Sequence, residues 1–401
     1  MLGVKTAALP ASLRRTNQRT VISLLLRLGS ASRADLAKAA GISQPTAGKI
    51  TTELLELGIL REAGTAPNEP FGNLNGRNSP RLGRPGQLLR LDNRRPRFVV
   101  IEFGVTQTRV SALPVAVKLE DDWGFTFRTP ASSESWVKEL KTVAARIKRQ
   151  QLWGVLISVP GIVDEAAGKV LFSPNLHWLE TMNLPKLVGQ VWDLPVLLVQ
   201  EIRALALGHL AAEPGGEDFL LVDFGQGVGG AIVLDGKLFS HPMPLSGEVG
   251  HTPVPGNDRC CGCGAIGCLE TLVSERGFLE SFNAGRKGAP WTALVQSVGQ
   301  RGFEPWLDKS LSATAKVIAG ALNVLGVHRV ILTGLLTEVP GAVERLAREL
   351  RAGAMWGRFG EVICHQAPRR RTAGLVAAGL DRLILPTGEH TLKSHLNAMA
   401  H

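Results

Sequence analysis

The 401-residue chain contains no tyrosine, and aromatic residues make up only 5% of it. It also lacks any stretch near the ~20 apolar residues that a membrane-spanning helix needs. The apolar run Val21 to Leu26 ends at Arg27, so it is too short for the apolar core of a secretory signal. These absences exclude an integral membrane protein, and we expect a cytoplasmic protein without membrane partners. The length predicts two or three globular domains.

Cysteine is also scarce, yet four of the five cysteines lie between Cys260 and Cys268. In a reducing compartment such crowding indicates a metal rather than disulfides. Three thiolates and one imidazole can fill all four positions of a structural, tetrahedral zinc ion. Four residues are expected to be these ligands. They are His251, Cys261, Cys263 and Cys268, within a loop spanning 251–268. Cys260 as a substitute ligand, or a group of reduced buried thiols, is the alternative.

Positive charge is concentrated at the N-terminus. Residues 1–97 hold 16 Lys and Arg against 6 Asp and Glu, whereas residues 98–401 hold 29 of each. A basic module on a neutral body favours contact with the phosphate backbone of a nucleic acid. A solubilising basic tail is the alternative.

Three helical patterns fill the start of this basic module. Apolar residues recur at helical spacing over 16–28, 33–40 and 44–57, and Ser32 and Ser43 are placed to cap the second and third helices. Gly41 lies in the short turn between them, where a residue tolerant of positive φ is needed. This pattern predicts a helix-turn-helix, with a three-helix protein-docking module as the alternative.

The third of these helices would enter the major groove with its first turn facing the bases. Gln44 can pair with adenine, Pro45 fits a first helical turn, and Thr46 can contact a thymine methyl group. Lys49 and Arg33 are expected to contact phosphates. Together with the cap Ser43, these are the DNA-binding residues of the predicted helix-turn-helix.

A wing is predicted after the helices. Strand candidates at 58–62 and 87–91 enclose a loop rich in Gly, Pro, Asn and Arg. Arg81 and Arg84 near its tip are expected to reach DNA, Arg84 in the minor groove. A linker loop without this role is the alternative. We therefore predict a winged helix-turn-helix domain at 1–92 and a linker at 93–97.

The remaining residues, 98–401, alternate strand patterns such as 98–103 with helix patterns, among them 134–149, 311–325 and 372–383, which predicts an α/β domain. Within it, Val99-Val100-Ile101-Glu102-Phe103-Gly104 resembles Leu220-Leu221-Val222-Asp223-Phe224-Gly225. Duplicated strand–turn–strand units of this kind clamp a nucleotide in the actin-like fold. The second unit is followed by glycines that could offer backbone N–H groups to a phosphate.

Carboxylates flank the cysteine loop. Glu248 and His251 are three residues apart, so a helical turn would place them on one face, and Glu270 follows Cys268 closely. A carboxylate beside a metal-anchored loop is a good acceptor for a sugar hydroxyl. A solvated glutamate is the alternative.

The sequence resembles the ROK family (repressor, open reading frame, kinase), especially its xylose-type and N-acetylglucosamine-type repressors. The motifs that carry the resemblance are Pro160-Gly161-Ile162-Val163-Asp164, Asn175-Leu176-His177-Trp178, Gly247 to His251, and Cys268-Leu269-Glu270. The resemblance implies an α/β actin-like (ribonuclease H-like, hexokinase-type) two-lobed domain with a sugar cleft and a His/Cys3 zinc site. It implies sugar contacts at Gly161, Asn175, Glu248, His251 and Glu270, with Gln200 and Glu201 on the same side of the cleft. It also implies a homodimer or a higher homo-oligomer, which would suit a palindromic operator.

The departures from this family affect phosphoryl transfer. The first phosphate turn of ROK kinases, Asp-x-Gly-Gly-Thr, is Glu102-Phe103-Gly104-Val105-Thr106 here, and their Asn-Asp, with Asp as the base, is Gln200-Glu201. The Gly-Thr-Gly motif of the kinases is replaced here by Gly225-Gln226-Gly227. The Gly-Gly motif that lies near the adenosine in the kinases is replaced by Gly334-Leu335. The longer Glu201 side chain would misplace the base, which costs roughly 100-fold if the geometry is tight.

These observations favour a sugar-responsive regulator of carbohydrate metabolism, most simply a repressor, with a kinase-like domain that senses a sugar and dimerises. The expected partners are double-stranded operator DNA and a small sugar effector. An ATP-dependent sugar kinase with an attached DNA-binding domain is the first alternative. A ligand-independent DNA-binding dimer is the second.

Overall fold

The computed structural model describes residues 10–65, 86–115, 124–147, 151–213, 218–240, 244–286 and 288–385. Its helices are α1 Pro10–Leu28, α2 Arg33–Ala40, α3 Gln44–Glu56, α4 Ser133–Ala144, α5 Leu184–Gly189, α6 Glu201–Ala212, α7 Glu270–Val273, α8 Glu275–Phe282, α9 Trp291–Arg301, α10 Pro305–Leu325, α11 Ala342–Gly353 and α12 Arg371–Gly379. A π-helical turn, Leu380–Ile384, continues α12. No helix of the described segments is both long and apolar enough to cross a membrane.

The strands form two large sheets and two small ones. They are β1 Ala31–Ser32, β2 Leu60–Thr65, β3 Gln87–Leu91, β4 Phe98–Phe103, β5 Gln107–Leu113, β6 Gly124–Arg128, β7 Gly154–Val159, β8 Ile162–Asp164, β9 Lys169–Phe172, β10 Val196–Gln200, β11 Phe219–Phe224, β12 Val228–Leu234, β13 Lys237–Leu238, β14 Arg329–Gly334 and β15 Ile363–Gln366.

The two large sheets have the same topology. The first has the order β10-β7-β4-β5-β6 and the second β15-β14-β11-β12-β13. Each sheet contains an antiparallel hairpin, β4–β5 in the first and β11–β12 in the second. Strands β7 and β10 continue the first sheet parallel to β4, and β14 and β15 continue the second parallel to β11. The predicted duplication is thus confirmed as two equivalent lobes, which is the actin-like, two-lobed arrangement that the resemblance implies.

The N-terminal unit consists of α1 to α3 and the small antiparallel sheet β1-β3-β2. The Ser32 side chain caps α2 and that of Ser43 caps α3, as predicted, and Gly41 between them has φ +66°. The first helix begins earlier than predicted, at Pro10 rather than residue 16, and the first wing strand is displaced from 58–62 to β2.

The N-terminal unit shares its core with the first lobe. One buried cluster runs from Leu25 of α1 and Leu89 of β3 to Phe98 of β4 and Leu380 beyond α12. The segment predicted as a linker is also held in place, because the Arg97 guanidinium lies 4.6 Å above the Trp153 ring. The basic unit is therefore packed against the large domain.

Three helices of the large domain differ from their predicted bounds. The helix predicted over 134–149 ends at Ala144, after which Ile147 turns back into the core. The one predicted from residue 311 begins at Pro305, which fits a first turn because the missing N–H has no helical partner there. Helix α12 ends at Gly379 instead of continuing regularly to 383.

Helices α6 and α12 cross in unusually close contact. A Cβ atom added to Gly374 would lie 1.8 Å from the Ala204 carbonyl oxygen, and one added to Gly208 would lie 2.0 Å from that of Arg370. Only glycine permits this approach. The crossing therefore fixes α12 relative to the helix that begins at Gln200-Glu201.

Candidate functional site

The His251 side chain and three cysteines converge in the second lobe. His251 ends a 3-10 turn, and its Nδ1 lies 3.6 Å from the Cys261 sulfur, while the Cys263 and Cys268 sulfurs are 3.7 Å apart. All four ligand atoms lie within 4.8 Å of one another. Cys260 is exposed and is not part of this group.

Backbone and side-chain hydrogen bonds shape the cysteine loop. Cys261 N–H donates to the Ala265 carbonyl, and Gly267 N–H donates to that of Arg259. The Asn257 amide donates to the Cys268 carbonyl and the Thr271 hydroxyl. The loop is therefore held closed by its own contacts.

This donor set fits zinc. Tetrahedral zinc with sulfur at ~2.3 Å separates neighbouring sulfur ligands by about 3.8 Å, close to the distance between Cys263 and Cys268. Burial, and then the hydrogen bonds of the neighbouring thiols, raise the pKa of Cys268 to about 12. Cys364 lies half-buried on β15 and is not part of the group of four.

Two carboxylates lie beside this loop, and Glu248 is hydrogen-bonded to Gln200 of the first lobe. Glu248 Oε2 lies 3.8 Å from His251 Nε2, as their spacing predicts. Burial raises the pKa of Glu248, an effect that the charge of His251 and a hydrogen bond from Gln200 oppose. Glu270 is anchored at the start of β12, where its Oε2 accepts a 2.9 Å hydrogen bond from Val228 N–H. The structure thus brings Glu248, His251 and Gln200 together.

The other residues predicted to contact sugar lie at the carboxyl edge of the first sheet. Gln200 at the end of β10 pairs with Val159 of β7, immediately before the turn at Gly161. A Cβ on Gly161, whose φ is +96°, would lie 2.2 Å from the Phe172 carbonyl oxygen, so the turn packs tightly on β9. Asn175 is exposed, and its neighbour Pro174 faces the cysteine loop at Gly262.

Glu201, at the position of the kinase base, is paired with a cation. Its Oε1 accepts a hydrogen bond from the guanidinium of Arg371, at the first position of α12. The next residue, Thr372, donates to Glu102 Oε1 at 3.0 Å. The start of α12 therefore contacts both acidic residues that stand where the resemblance places catalytic motifs.

A second arginine fills the region of the second glycine turn. Arg369 donates to both carboxylate oxygens of Asp223, at 2.7 and 3.0 Å, and to the Phe224 carbonyl. A Cβ on Gly225 would lie 2.7 Å from its Nη2 atom, and one on Gly334 would lie 2.5 Å away. Arg369 thus lies between the Gly225-Gln226-Gly227 turn and Gly334-Leu335, the two segments that correspond to glycine motifs of the kinases.

The first turn of α3 faces solvent. Gln44, Pro45 and Lys49 are exposed and Thr46 is half-buried, while the Ser43 hydroxyl accepts from Thr46 N–H at 3.3 Å. The polar face predicted to contact bases is therefore accessible.

The remaining residues predicted to contact DNA are Arg33 of α2 and the wing residues Arg81 and Arg84. Arg33 Nε donates to the Thr51 hydroxyl at 3.2 Å, so this side chain also joins α2 to α3. Strands β2 and β3 pair antiparallel, as the wing requires. Arg81 and Arg84 lie outside the described residues.

A polar route connects the cleft to α1. Glu165, just after β8, accepts from Gln200 N–H at 3.0 Å and from Arg382 at 2.7 Å. The neighbour of Arg382, Asp381, forms ion pairs with Arg15 and Arg19 of α1. Sequence reasoning did not identify Glu165, Arg369 or Arg371, because their partners are far away in the chain.

The ROK family profile matches residues 98–378. The chain is 29% identical over 275 residues to the xylose repressor of Caldicellulosiruptor bescii, which covers 67% of this chain and 66% of the repressor, slightly under two thirds of its length. It is 31% identical over 168 residues to N-acetylmannosamine kinase of Escherichia coli O157:H7, which covers 41% of this chain and 58% of the kinase.

A crystal structure described as a ROK family transcriptional regulator, homologue of the E. coli MLC protein, has a similar fold. It superposes with a TM-score of 0.71 at 18% identity, covering 93% of this chain and 98% of that one. The fold is therefore shared over nearly the whole chain, N-terminal unit included.

Proposed function

Because the chain belongs to the ROK family, we propose that it is a sugar-responsive transcriptional repressor. Its N-terminal unit is a winged helix-turn-helix, and its kinase-like domain is a sugar sensor and dimerisation module. The observation that carries this proposal is that the exposed first turn of α3 belongs to a unit sharing its core with the sugar-kinase fold. The likeness to a xylose repressor supports it.

DNA recognition is assigned to the start of α3 and to the wing. Gln44 and Thr46 are placed to face base edges, and Lys49 one turn later to face a phosphate. Arg33 has further guanidinium nitrogens for a phosphate besides the one bonded to Thr51. Arg81 and Arg84 complete the wing contacts, and a two-fold dimer would present two such units to a palindrome.

Sugar recognition is assigned to the cleft between the lobes. Gly161, Asn175, Gln200 and Glu201 lie on the first-lobe side. On the second-lobe side are Glu248, His251 and Glu270, placed by the cysteine loop and β12. Carboxylates and amides are the acceptors and donors that orient hydroxyl groups.

A zinc ion on His251, Cys261, Cys263 and Cys268 would have a structural role, because all four coordination positions are filled by the protein. When bound, it fixes the loop and with it the His251 ring. His251 then holds the side of the cleft near Glu248, 3.8 Å away.

Two arginines support the proposed loss of kinase activity. A general base must be free to accept the hydroxyl proton, whereas the Glu201 carboxylate is engaged by Arg371. ATP would also have to displace Arg369 from the Asp223 turn. Both interactions use the side chains that phosphoryl transfer would need.

Coupling of sugar to DNA is proposed to run through α12 and its continuation. Sugar binding that moves the Gly161 or Gln200 segment displaces Glu165, which is bonded to Arg382. The adjacent Asp381 holds α1. The sugar thereby biases one arrangement of the N-terminal units, which changes the affinity for DNA.

The first test is fluorescence anisotropy with labelled DNA from upstream of the protein's own gene and of neighbouring sugar genes, at fixed salt, with scrambled DNA for comparison. D-xylose, D-glucose, N-acetylglucosamine and N-acetylmannosamine would then be added. We expect specific binding that one sugar weakens. Binding no tighter than to scrambled DNA would overturn the repressor assignment.

Matched variants locate the DNA surface. Lys49→Ala should weaken binding to all sequences and reduce the salt slope by about one unit, while Lys316→Ala, on the exposed face of α10, should leave it unchanged. Gln44→Ala should cost about 1–3 kcal/mol on the specific site alone. Equal effects of Lys49→Ala and Lys316→Ala would exclude α3 from the interface.

The alternative, an ATP-dependent sugar kinase, is favoured by the likeness to N-acetylmannosamine kinase and by the carboxylate kept at Glu201. A coupled ADP-release assay with the same sugars would decide it. ADP release that Glu201→Gln abolishes would establish kinase activity, whereas its absence in the wild-type protein supports the sensor.

A further inference from the structure

We propose that His209, Glu213 and His365 form a second metal site, distinct from the cysteine loop, for a divalent transition-metal ion such as Zn²⁺, Ni²⁺ or Co²⁺. One potential ligand atom from each side chain lies within 4.8 Å of the other two. Two imidazoles and one carboxylate are a donor set typical of these ions.

The fold brings these side chains together from two elements. His209 and Glu213 are four residues apart at the end of α6, so they lie on one face of that helix. His365 is on the edge strand β15, opposite Ile331 of β14. Ile331 belongs to the buried layer between α6 and the second sheet, and the site lies at the margin of that layer.

The spacing suits one shared ion. His209 Nε2 and Glu213 Oε2 are 3.5 Å apart. A tetrahedral ion with ligands at about 2.0–2.1 Å separates two of them by about 3.3 Å. A small inward shift of His365 would close the third side, since no ligand pair exceeds 4.8 Å.

The environment of the His209 imidazole favours a bound ion. Its side chain is only 3% exposed, it packs edge-on against Phe219, and neither ring nitrogen has a hydrogen-bond partner among the residues that the structure describes. A buried polar group left without a partner costs about 1–3 kcal/mol. Such a group calls for an explanation, and a bound ion beside Glu213 and His365 supplies one.

Burial, and then nearby cations, disfavour the protonated forms of the two imidazoles, beside the geometry that carries the site. Burial lowers the pKa of His209 and of His365, and the positive charge of Arg329 lowers both further. Glu213 opposes this effect in each case, and Arg370 adds to it at His209. A lowered pKa favours the neutral ring, in which one of the two nitrogens carries the lone pair that an ion would bind.

Arg329 is compatible with the ion. Its Nη2 donates to Glu213 Oε2 at 2.8 Å, which uses one lone pair of that oxygen and leaves its second lone pair for the ion. A hydrogen bond of this kind orients a ligating carboxylate. Glu213 is 43% exposed, so water can reach the ion from this side and fill its remaining coordination position.

An ion here would join the end of α6 to the edge of the second sheet. Helix α6 begins at the cleft residues Gln200 and Glu201 and crosses α12 at Gly208. The ion would thus restrict the helix that links the cleft to α12. This consequence rests on the proposed sensor function, whereas the metal site itself does not.

The test counts metal ions on the full chain. Purified protein is stripped with a chelator and titrated with Co²⁺, followed by elemental analysis and visible absorption. We expect two ions per chain in the wild-type protein, one with thiolate-to-cobalt bands and one without. His365→Gln should keep the thiolate bands and weaken the second ion by more than about 100-fold.

Two further variants separate the sites, and one serves as the control. Cys263→Ser should lose the thiolate-bound ion and retain the other, and Glu213→Gln should behave like His365→Gln. Glu361→Gln, an exposed glutamate elsewhere, should bind as the wild type does. These variants avoid His209, whose replacement could unfold the layer around it.

Thermal unfolding gives an independent measure, because an ion that binds only the folded state raises the melting temperature. With the cysteine loop disabled by Cys263→Ser, added Co²⁺ should still raise it, and the additional change His365→Gln should remove that rise. One ion per chain in the wild type, or an unchanged second ion in both His365→Gln and Glu213→Gln, would overturn the proposal. Absence of a DNA response would not, so the two proposals fail separately.

Discussion

Replacing Arg369 by glutamine tests the interaction that fills the second glycine turn. The guanidinium holds both oxygens of Asp223 and the Phe224 carbonyl. After the change, Asp223 would retain the hydrogen bond from the Thr333 hydroxyl at 2.7 Å. A nearly buried carboxylate would thus lose its only cationic partner among the described ion pairs.

The expected loss can be bounded from the exposure of the two side chains. Removing one partner of a buried ion pair costs about 3–5 kcal/mol, and an exposed pair contributes about 0–1 kcal/mol. Asp223 is 12% exposed and Arg369 36%, so the pair lies between these limits. We expect Arg369→Gln to lower the free energy of unfolding by about 2–3 kcal/mol, or about 30- to 150-fold in the folding equilibrium.

Urea unfolding followed by tryptophan fluorescence is a selective assay. All eight tryptophans lie beyond residue 98, so the signal reports the large domain and not the N-terminal unit. The midpoint should fall with an unchanged slope if the change affects stability alone.

A double-mutant cycle with Asp223→Asn identifies the cause. The double variant should be more stable than the sum of the single losses predicts, by about 1–2 kcal/mol. Arg276→Gln, from the exposed pair with Glu280, should cost less than about 0.5 kcal/mol. Additive losses, or a cost of Arg369→Gln no larger than this control, would refute the reasoning.

Three further changes test other parts of the molecule. Asp381→Asn removes the acceptor of two arginines of α1; we expect the sugar effect on DNA affinity, measured by anisotropy, to shrink by about threefold or more, whereas Asp308→Asn on α10 should preserve it. Gly374→Ala places a Cβ 1.8 Å from the Ala204 carbonyl and should lower the free energy of unfolding by about 3 kcal/mol, which urea unfolding would show as a lower midpoint; a wild-type midpoint would contradict the close crossing. Burial raises the pKa of Glu248 above its ordinary 4.5, so the folded state binds more protons and stability falls as pH rises through that window. Glu248→Gln should therefore gain melting temperature relative to the wild type as the pH rises above 4.5, and parallel curves would contradict the shift.

Local patterns predicted most of the fold because their causes lie within a few residues. The cap at Ser43, the turn at Gly41 and strands such as Phe98–Phe103 depend on neighbours in the chain, and all three are present. The duplicated motif also predicted the paired lobes. The bounds that shifted, as at Ala144 and Pro305, are helix ends, where local periodicity is weakest.

The site divides in the same way. The cysteine loop could be predicted from spacing, because its ligands lie within 18 residues of one another and a metal demands a fixed set of donors. The partners of Glu201 and Asp223 could not, since Arg371 and Arg369 are 170 and 146 residues away. Long-range ion pairs leave no periodic mark in the sequence. The close crossing of α6 and α12 at Gly374 could not be predicted from the sequence either.

The interactions that oppose catalysis and those that reach the N-terminal unit occur along one short segment. Arg369 precedes α12, Arg371 begins it, and Asp381 lies in the turn that continues it. The tight contact with α6 prevents the two helices from sliding freely, so a shift at the Glu201 end is passed along α12 rather than absorbed. Occupation of the base by Arg371 and sensing by the domain are therefore compatible in physical terms. The Glu201–Arg371 ion pair, proposed to occupy the base, also joins the proposed cleft to the helix whose continuation contacts α1.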